Sequence, residues 1–135
     1  MKEDVPVPLR ADVQERARGR CEYCGLHEDD SWEPHQPDHI IARKHRGATV
    51  AENLARTCPA CNSRKGPNLT GIDPKTEKVT RLFNPRRHLW SRHFRWHGAV
   101  LLGRTAVRRT TVEVPAINDA ARLALRQELM DQGLF

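Results

Sequence analysis

Four cysteines stand in two C-x-x-C pairs, Cys21-Glu-Tyr-Cys24 and Cys58-Pro-Ala-Cys61, and no fifth cysteine is left over. Four thiolates in this arrangement suit one tetrahedral Zn²⁺ in a closed structural site. Two disulfides or a redox dithiol would use the same residues. A dithiol, however, needs an exposed C-x-x-C opening a helix within a βαβ pattern, which is absent here. The gap between the pairs is 33 residues, longer than a zinc ribbon requires, and it holds Asp38-His39-Ile40-Ile41 and Glu52-Asn53-Leu54. A carboxylate, an imidazole and an amide thus lie between the two halves of a metal site. Asn62, Lys65 and Gly66 follow directly after it.

Secondary-structure signals give the elements that must position these groups. Val5, Leu9, Val13 and Ala17 recur every four residues, so a helix is expected over 8–19, with Gly19 as its stop. Gly25 after the second cysteine should let backbone amides turn toward the sulfurs. Residues 26–33 read as an acidic loop, and Asp38-His39 as a short strand or hairpin arm. Residues 42–52 read as a polar loop and Asn53–Thr57 as a second strand. Pro59 fits the first turn of a helix from Cys58 to about Gly66. The order is hairpin, loop, helix. Beyond it come a turn-rich link over 67–74, a strand over Lys78–Phe83, a break at Asn84-Pro85-Arg86-Arg87, and an aromatic stretch from His88 to His97. Strands are expected at Ala99–Leu102 and Thr110–Val114. The final helix is expected from Asp119 to about Gln132, capped by Asn118, with Ala121, Leu125 and Leu129 on its inner face.

In this order and spacing, Cys21-x2-Cys24, Asp38-His39-Ile40, Asn53-Leu54, Cys58-x2-Cys61-Asn62 and Lys65-Gly66 resemble the HNH endonuclease family over about a third of the chain. The resemblance implies an α+β fold. Its small ββα-metal, treble-clef-like core is stapled by zinc over about 21–66, with flanking helices and a short β-containing C-terminal extension over about 67–135. It implies phosphodiester hydrolysis that leaves 5′-phosphate and 3′-hydroxyl ends, with double-stranded DNA as the substrate. The segments Gly71-Ile-Asp-Pro, Leu82-Phe-Asn-Pro-Arg86 and Trp90-x2-His93-Phe94 are similar to a C-terminal extension of a bacterial branch of the family, which implies one continuous unit across 1–135.

Phosphodiester hydrolysis needs an activated water and positive charge at the phosphate. An ordinary imidazole is largely neutral near pH 7, so His39 can take a proton from water. Asp38 and Asn62 offer two hard oxygens, which suit Mg²⁺ or Mn²⁺ as a catalytic ion. Adjacent residues of a strand point to opposite faces, so an irregular backbone is expected at Asp38-His39. In the family the middle Asn holds the catalytic His, a role that falls to Asn53, through the imidazole or its backbone. The third family residue is often His. Here it is Asn62, which favours Mg²⁺ or Mn²⁺ over Ni²⁺ or Zn²⁺ and makes for a weaker site.

The net charge is +6 and lies entirely in the second half. Residues 1–66 carry 11 basic and 11 acidic side chains, whereas 67–135 carry 12 and 6. Nine Lys and Arg and no Asp or Glu fall within 78–112, a footprint for a polyanion. A zinc ion on four thiolates would make the first half about two units more negative still. Arg43, Lys65, Arg86, Arg87, Arg92 and Arg95 are the expected nucleic-acid contacts. A solvated basic face would use the same arginines, and the end-of-helix Lys65 could equally be solvated. Trp90, Phe94 and Trp96 are expected mainly as core, with base stacking as the alternative for the tryptophans. Met1–Arg10 holds no apolar signal segment and Ala99–Leu102 is too short to span a bilayer, so a cytoplasmic location is expected. The rival to an enzyme is a zinc-stabilised nucleic-acid-binding module without activity. Oligomeric state and sequence preference are not encoded in these motifs.

Overall fold

The computed structural model describes residues 5–135; the first part of the signal-peptide reading of Met1–Arg10 lies outside them. Helix α1 (Val7–Ala17) is followed by the hairpin β1 (Gln36–His39) and β2 (Leu54–Thr57), then helix α2 (Pro59–Lys65). Strand β1 pairs antiparallel with β2 in regular register, from Gln36 opposite Thr57 to His39 opposite Leu54. The irregular backbone expected at Asp38-His39 is therefore absent. Asp38 and His39 alternate as strand residues do, and each meets a different neighbour.

All four residues of β2 are buried. One side receives α1, where Val5, Val13 and Leu54 form a small apolar cluster with Leu9. This is the period-four face of the sequence, on a helix that starts one residue earlier and ends two residues earlier than the expected span of 8–19. Arg16 ties α1 to the hairpin by donating to the carbonyls of Ala51 (3.0 Å) and Leu54 (2.6 Å).

The second half supplies a further hairpin, β3 (Thr70–Ile72) with β4 (Val79–Arg81). It is followed by the short helix α3 (Trp90–His93), a third hairpin of β5 (Phe94–His97) with β6 (Val100–Gly103), and helices α4 (Ala106–Glu113) and α5 (Ala120–Asp131). The main core joins both halves: Tyr23, Ile40 and Ala55 pack with Phe83, Phe94, Leu101 and Ile117 around the cysteines. Trp90 and Trp96 pack against this core, in line with the core reading of the aromatic stretch.

Three local expectations are corrected. The link over 67–74 contains β3, because Asp73 closes a hairpin: its amide donates to the Lys78 carbonyl (3.0 Å) and its carboxylate takes a bidentate bond from Arg109 (2.9 and 2.8 Å). The β-branched run Thr110-Thr111-Val112 is helical. Thr105 caps α4 by accepting from the Arg108 amide, and the hydroxyls of Thr110 and Thr111 donate to the carbonyls of Ala106 and Val107 (2.8 and 2.6 Å). Those bonds satisfy both hydroxyls inside a fully buried helix face, so packing overrides strand propensity. Finally, α5 is capped by Asp119, not Asn118, whose amide instead grips the Leu101 backbone at N (3.0 Å) and O (2.8 Å). Ala121 is exposed, and the inward residues of α5 are Arg122, Arg126 and Leu129. Among the described residues no helix is long and apolar enough to cross a membrane.

Candidate functional site

The thiols of Cys21, Cys24, Cys58 and Cys61 converge within 4.8 Å of one another, and all four are buried. None is in a disulfide. Cys24 Sγ and Cys58 Sγ stand 3.7 Å apart. Four sulfurs at about 2.3 Å from a tetrahedral Zn²⁺ lie about 3.8 Å from each other, whereas a disulfide needs about 2.05 Å. The donor set therefore fits a closed zinc centre. Two knuckles shape it. Gly25 takes a left-handed φ of 81° and its amide closes the first turn onto the Cys21 carbonyl (2.9 Å), not onto a sulfur. In the second, the Cys61 amide donates to Cys58 Sγ (3.4 Å) at the start of α2.

The sequence analysis missed the counter-charge. Arg122 reaches from α5 to Cys61 Sγ (2.9 Å), while Arg126 fills the adjacent buried space by donating to Ala99 O, Ile117 O and Asn118 Oδ1. Burial opposes the Arg122 charge, but the facing thiolates of Cys61 and Cys24 more than offset it and raise the guanidinium above its ordinary range. A ZnS₄ group carries two negative charges, and this arginine is placed to balance part of them. The only sequence signal was an arginine in a helix otherwise read as amphipathic.

Beside the centre, a cleft of about 520 Å³ is lined by Asp38 and His39 of β1, by Asn62 of α2, and by Arg10, Gln14, His35 and Arg56. The hairpin and the helix thus bring together three groups separated by up to 24 positions in the chain. His39 Nε2 is 2.9 Å from Thr49 Oγ1, a partner the sequence did not single out. Asp38 Oδ2 accepts from Lys65 Nζ at 2.9 Å. Burial pushes the Asp38 carboxyl above its usual range, and the Lys65 ammonium pulls it back only in part.

Asn53 does not touch the imidazole. Its Oδ1 accepts from the Ile41 amide (2.9 Å), and its Nδ2 donates to the carbonyls of Ile41 (3.0 Å) and Ala48 (2.8 Å). Ile41 lies two residues after His39 and Ala48 one before Thr49, so a single amide sets the loop that carries both partners. Gly47 belongs to the same device: a Cβ there would run into the Ile41 carbonyl and the Asn53 amide. Asn53→Ala removes these three bonds, each worth about 0.5–1.5 kcal/mol net. The expected result is a loss of about 1.5–4.5 kcal/mol in urea unfolding, with faster amide exchange at Ile41. Unchanged exchange there would show that the loop does not depend on this side chain.

Two expected nucleic-acid contacts are corrected. Lys65 is 2 % exposed and spends its ammonium on Asp38 and the Gly66 carbonyl, so it presents nothing to a phosphate. Arg86 is ion-paired with Glu22, and burial and the neighbouring Arg16 charge lower its guanidinium to about 10. Arg43, Arg87, Arg92 and Arg95 are exposed. His93 packs against Phe83 and His88 and meets Thr105 Oγ1 at 2.9 Å. A larger cleft of about 730 Å³ is lined by Phe83, Trp90, Trp96 and Phe135, and holds none of the Asp38, His39 and Asn62 set.

A buried four-cysteine cluster, flanked by a hairpin and helix that carry a carboxylate, an imidazole and an amide to one cleft, defines a small protein of mixed helix and strand that is compatible with a zinc staple. Residues 21–68 match the family model described as HNH endonuclease. The match spans both cysteine pairs together with Asp38, His39, Asn53, Asn62 and Lys65. It points to nuclease or nucleic-acid-binding function. No curated protein and no solved structure matches the chain.

Proposed function

We propose that the protein is a metal-dependent endonuclease that hydrolyses phosphodiester bonds in DNA, acting as one unit over the whole chain. The observation that carries this reading is the shared cleft of Asp38, His39 and Asn62 inside the HNH-matched segment. The β1-β2-α2 unit is read as the ββα-metal core, with zinc on the four cysteines as its structural staple.

Asp38 and Asn62 present a carboxylate and an amide oxygen, a donor pair that suits a hard cation keeping several waters. Mg²⁺ or Mn²⁺ held there would supply Lewis-acid charge to the phosphate and to the departing oxygen. His39 Nε2 lies 2.9 Å from Thr49 Oγ1; with the imidazole proton on Nε2, Nδ1 is the nitrogen that carries the lone pair. That nitrogen takes a proton from the attacking water. The water oxygen bonds to phosphorus, the bond to the 3′ oxygen breaks, and that oxygen leaves as a 3′-hydroxyl after gaining a proton. Asn53 is a positioning residue: it holds the backbone on both sides of the His39–Thr49 pair. Plasmid cleavage with Mg²⁺ or Mn²⁺, set beside an EDTA control, tests the reading. Metal-dependent nicks or breaks support it. Tight plasmid binding with no cleavage in either metal favours a binding module instead, a reading that the Lys65 bond to Asp38 and the Asn at position 62 make specific.

Arg87, Arg92 and Arg95 are assigned to phosphate, with Arg43 nearer the cleft, 3.4 Å from Thr49 Oγ1. Each phosphate contact contributes about −0.9 to the slope of log affinity against log salt. Replacing Arg87, Arg92 and Arg95 by Ala should therefore flatten the slope by about 2–3 units, read from fluorescence anisotropy with a labelled duplex. An unchanged slope would move the contact surface elsewhere.

A further inference from the structure

Among the described residues Asp38 is the sole carboxylate lining the cleft, and its charge is already matched. Lys65 Nζ sits 2.9 Å from Oδ2 and is 2 % exposed, so the ammonium cannot turn away to solvent. Lys65 does not line the cleft. It borders the opposite side of Asp38, in a separate recess with Tyr23, Ile40 and Asn68. The carboxylate is thus sandwiched between a fixed internal cation and the cleft. The other cleft groups add no negative charge. Asn62 is neutral, and Arg10 and Arg56 are cationic. Arg56 has a partner of its own, Glu28 at 2.6 Å, and Arg10 donates to the Val5 carbonyl.

Among the described residues, the groups lining this cleft offer a divalent cation no net negative charge, and the affinity of such sites is set by ligand charge and count. A phosphate group meets the reverse: two arginines, Arg10 and Arg56, and a carboxylate whose charge Lys65 already offsets from behind. We infer that metal loading is coupled to nucleic-acid binding, with Lys65 as the residue that enforces the coupling. The phosphate supplies the charge that the protein withholds, so the cation and the nucleic acid stabilise each other in the cleft. By linkage each must raise the affinity of the other by the same factor, typically about 5–150-fold. The inference rests on the proposed role of Asp38 and Asn62 as metal ligands. Its physical use is economy of chemistry, because a site that does not charge without substrate does not hold a reactive ion at rest.

The test uses the zinc-loaded full chain carrying His39→Ala, which blocks turnover. Mn²⁺ binding is followed by the loss of its free electron-paramagnetic-resonance signal, with and without a short duplex oligonucleotide. The duplex alone and an Asp38→Asn variant serve as subtractions. The expected result is Mn²⁺ binding about tenfold or more tighter with the duplex, and an equal gain in duplex affinity when Mn²⁺ is present. Lys65→Met should tighten Mn²⁺ binding in the absence of duplex and shrink the duplex-dependent gain. Equal Mn²⁺ affinity with and without duplex overturns the inference while leaving the metal site intact. A folded Lys65→Met variant with wild-type Mn²⁺ affinity also overturns it. Mn²⁺ binding that Asp38→Asn does not alter, in either condition, overturns the metal site itself and the coupling with it. If Lys65→Met does not fold, the duplex comparison in the Lys65 protein decides alone.

Discussion

His39→Ala slows phosphodiester cleavage by about 10²–10⁴-fold, the usual contribution of a positioned general base, and leaves nucleic-acid affinity within about twofold of the parent. The size of the expected effect follows from what the side chain touches. His39 is half-buried at the end of β1 and its imidazole meets Thr49 Oγ1. Its loss therefore removes the proton acceptor and one hydrogen bond. That bond is worth about 1 kcal/mol, too little to unfold a domain with about 5–15 kcal/mol of stability. Thr49→Val separates positioning from proton transfer, because it keeps the imidazole but removes the hydroxyl that sets the tautomer. It should lower the rate less than His39→Ala does, with unchanged folding. Single-turnover cleavage of a supercoiled plasmid in Mg²⁺, with circular dichroism of each variant, checks both. Full cleavage by a folded His39→Ala protein would take the base assignment away from this residue.

Loss of a single zinc ligand has the largest expected effect on stability. Cys58→Ser, or treatment with a strong chelator, unfolds the protein across both halves of the chain. Structural zinc contributes about 10–16 kcal/mol in small zinc domains, as much as the whole stability of a typical domain. The four sulfurs also sit in the middle of the main apolar core, where Cys58 and Cys61 are about 1 % exposed beside Tyr23, Phe83, Phe94 and Leu101. Releasing them leaves buried thiols and the Arg122 guanidinium without a partner charge. The consequence should reach the tryptophans, since Trp90 Nε1 donates to the Tyr23 carbonyl inside the first knuckle. Tryptophan emission should shift to the red together with the loss of helical circular dichroism, with one zinc released per chain. A Cys58→Ser protein that melts like the parent would mean that the thiolate cluster does not hold the fold.

The parts of this protein that its sequence alone determined are those whose chemistry is local. Each C-x-x-C pair is a self-contained turn, and the lack of a spare cysteine allowed one reading of four ligands. Pro59 at the start of α2, the period-four face of α1 and the order of hairpin, loop and helix rest on residues a few positions apart. Asp38, His39, Asn53 and Asn62 are singled out instead by the resemblance to the HNH family over a longer stretch. The tertiary structure decided what depends on which face meets which. Lys65 reads as a phosphate contact or a solvated helix end until α2 docks on β1 and buries it against Asp38, 27 residues away. Arg86 reads as a phosphate contact until the turn that carries it meets Glu22. Arg122 gains its partner, Cys61, across 61 residues. The strand-like Thr110-Thr111 becomes helix because a buried face of α4 satisfies both hydroxyls internally. In each case the side chain is long or β-branched and its local preference is weak, about 1 kcal/mol or less. Burial of a charge without a partner costs several kcal/mol, so the docked neighbours, not the local sequence, set where these groups point.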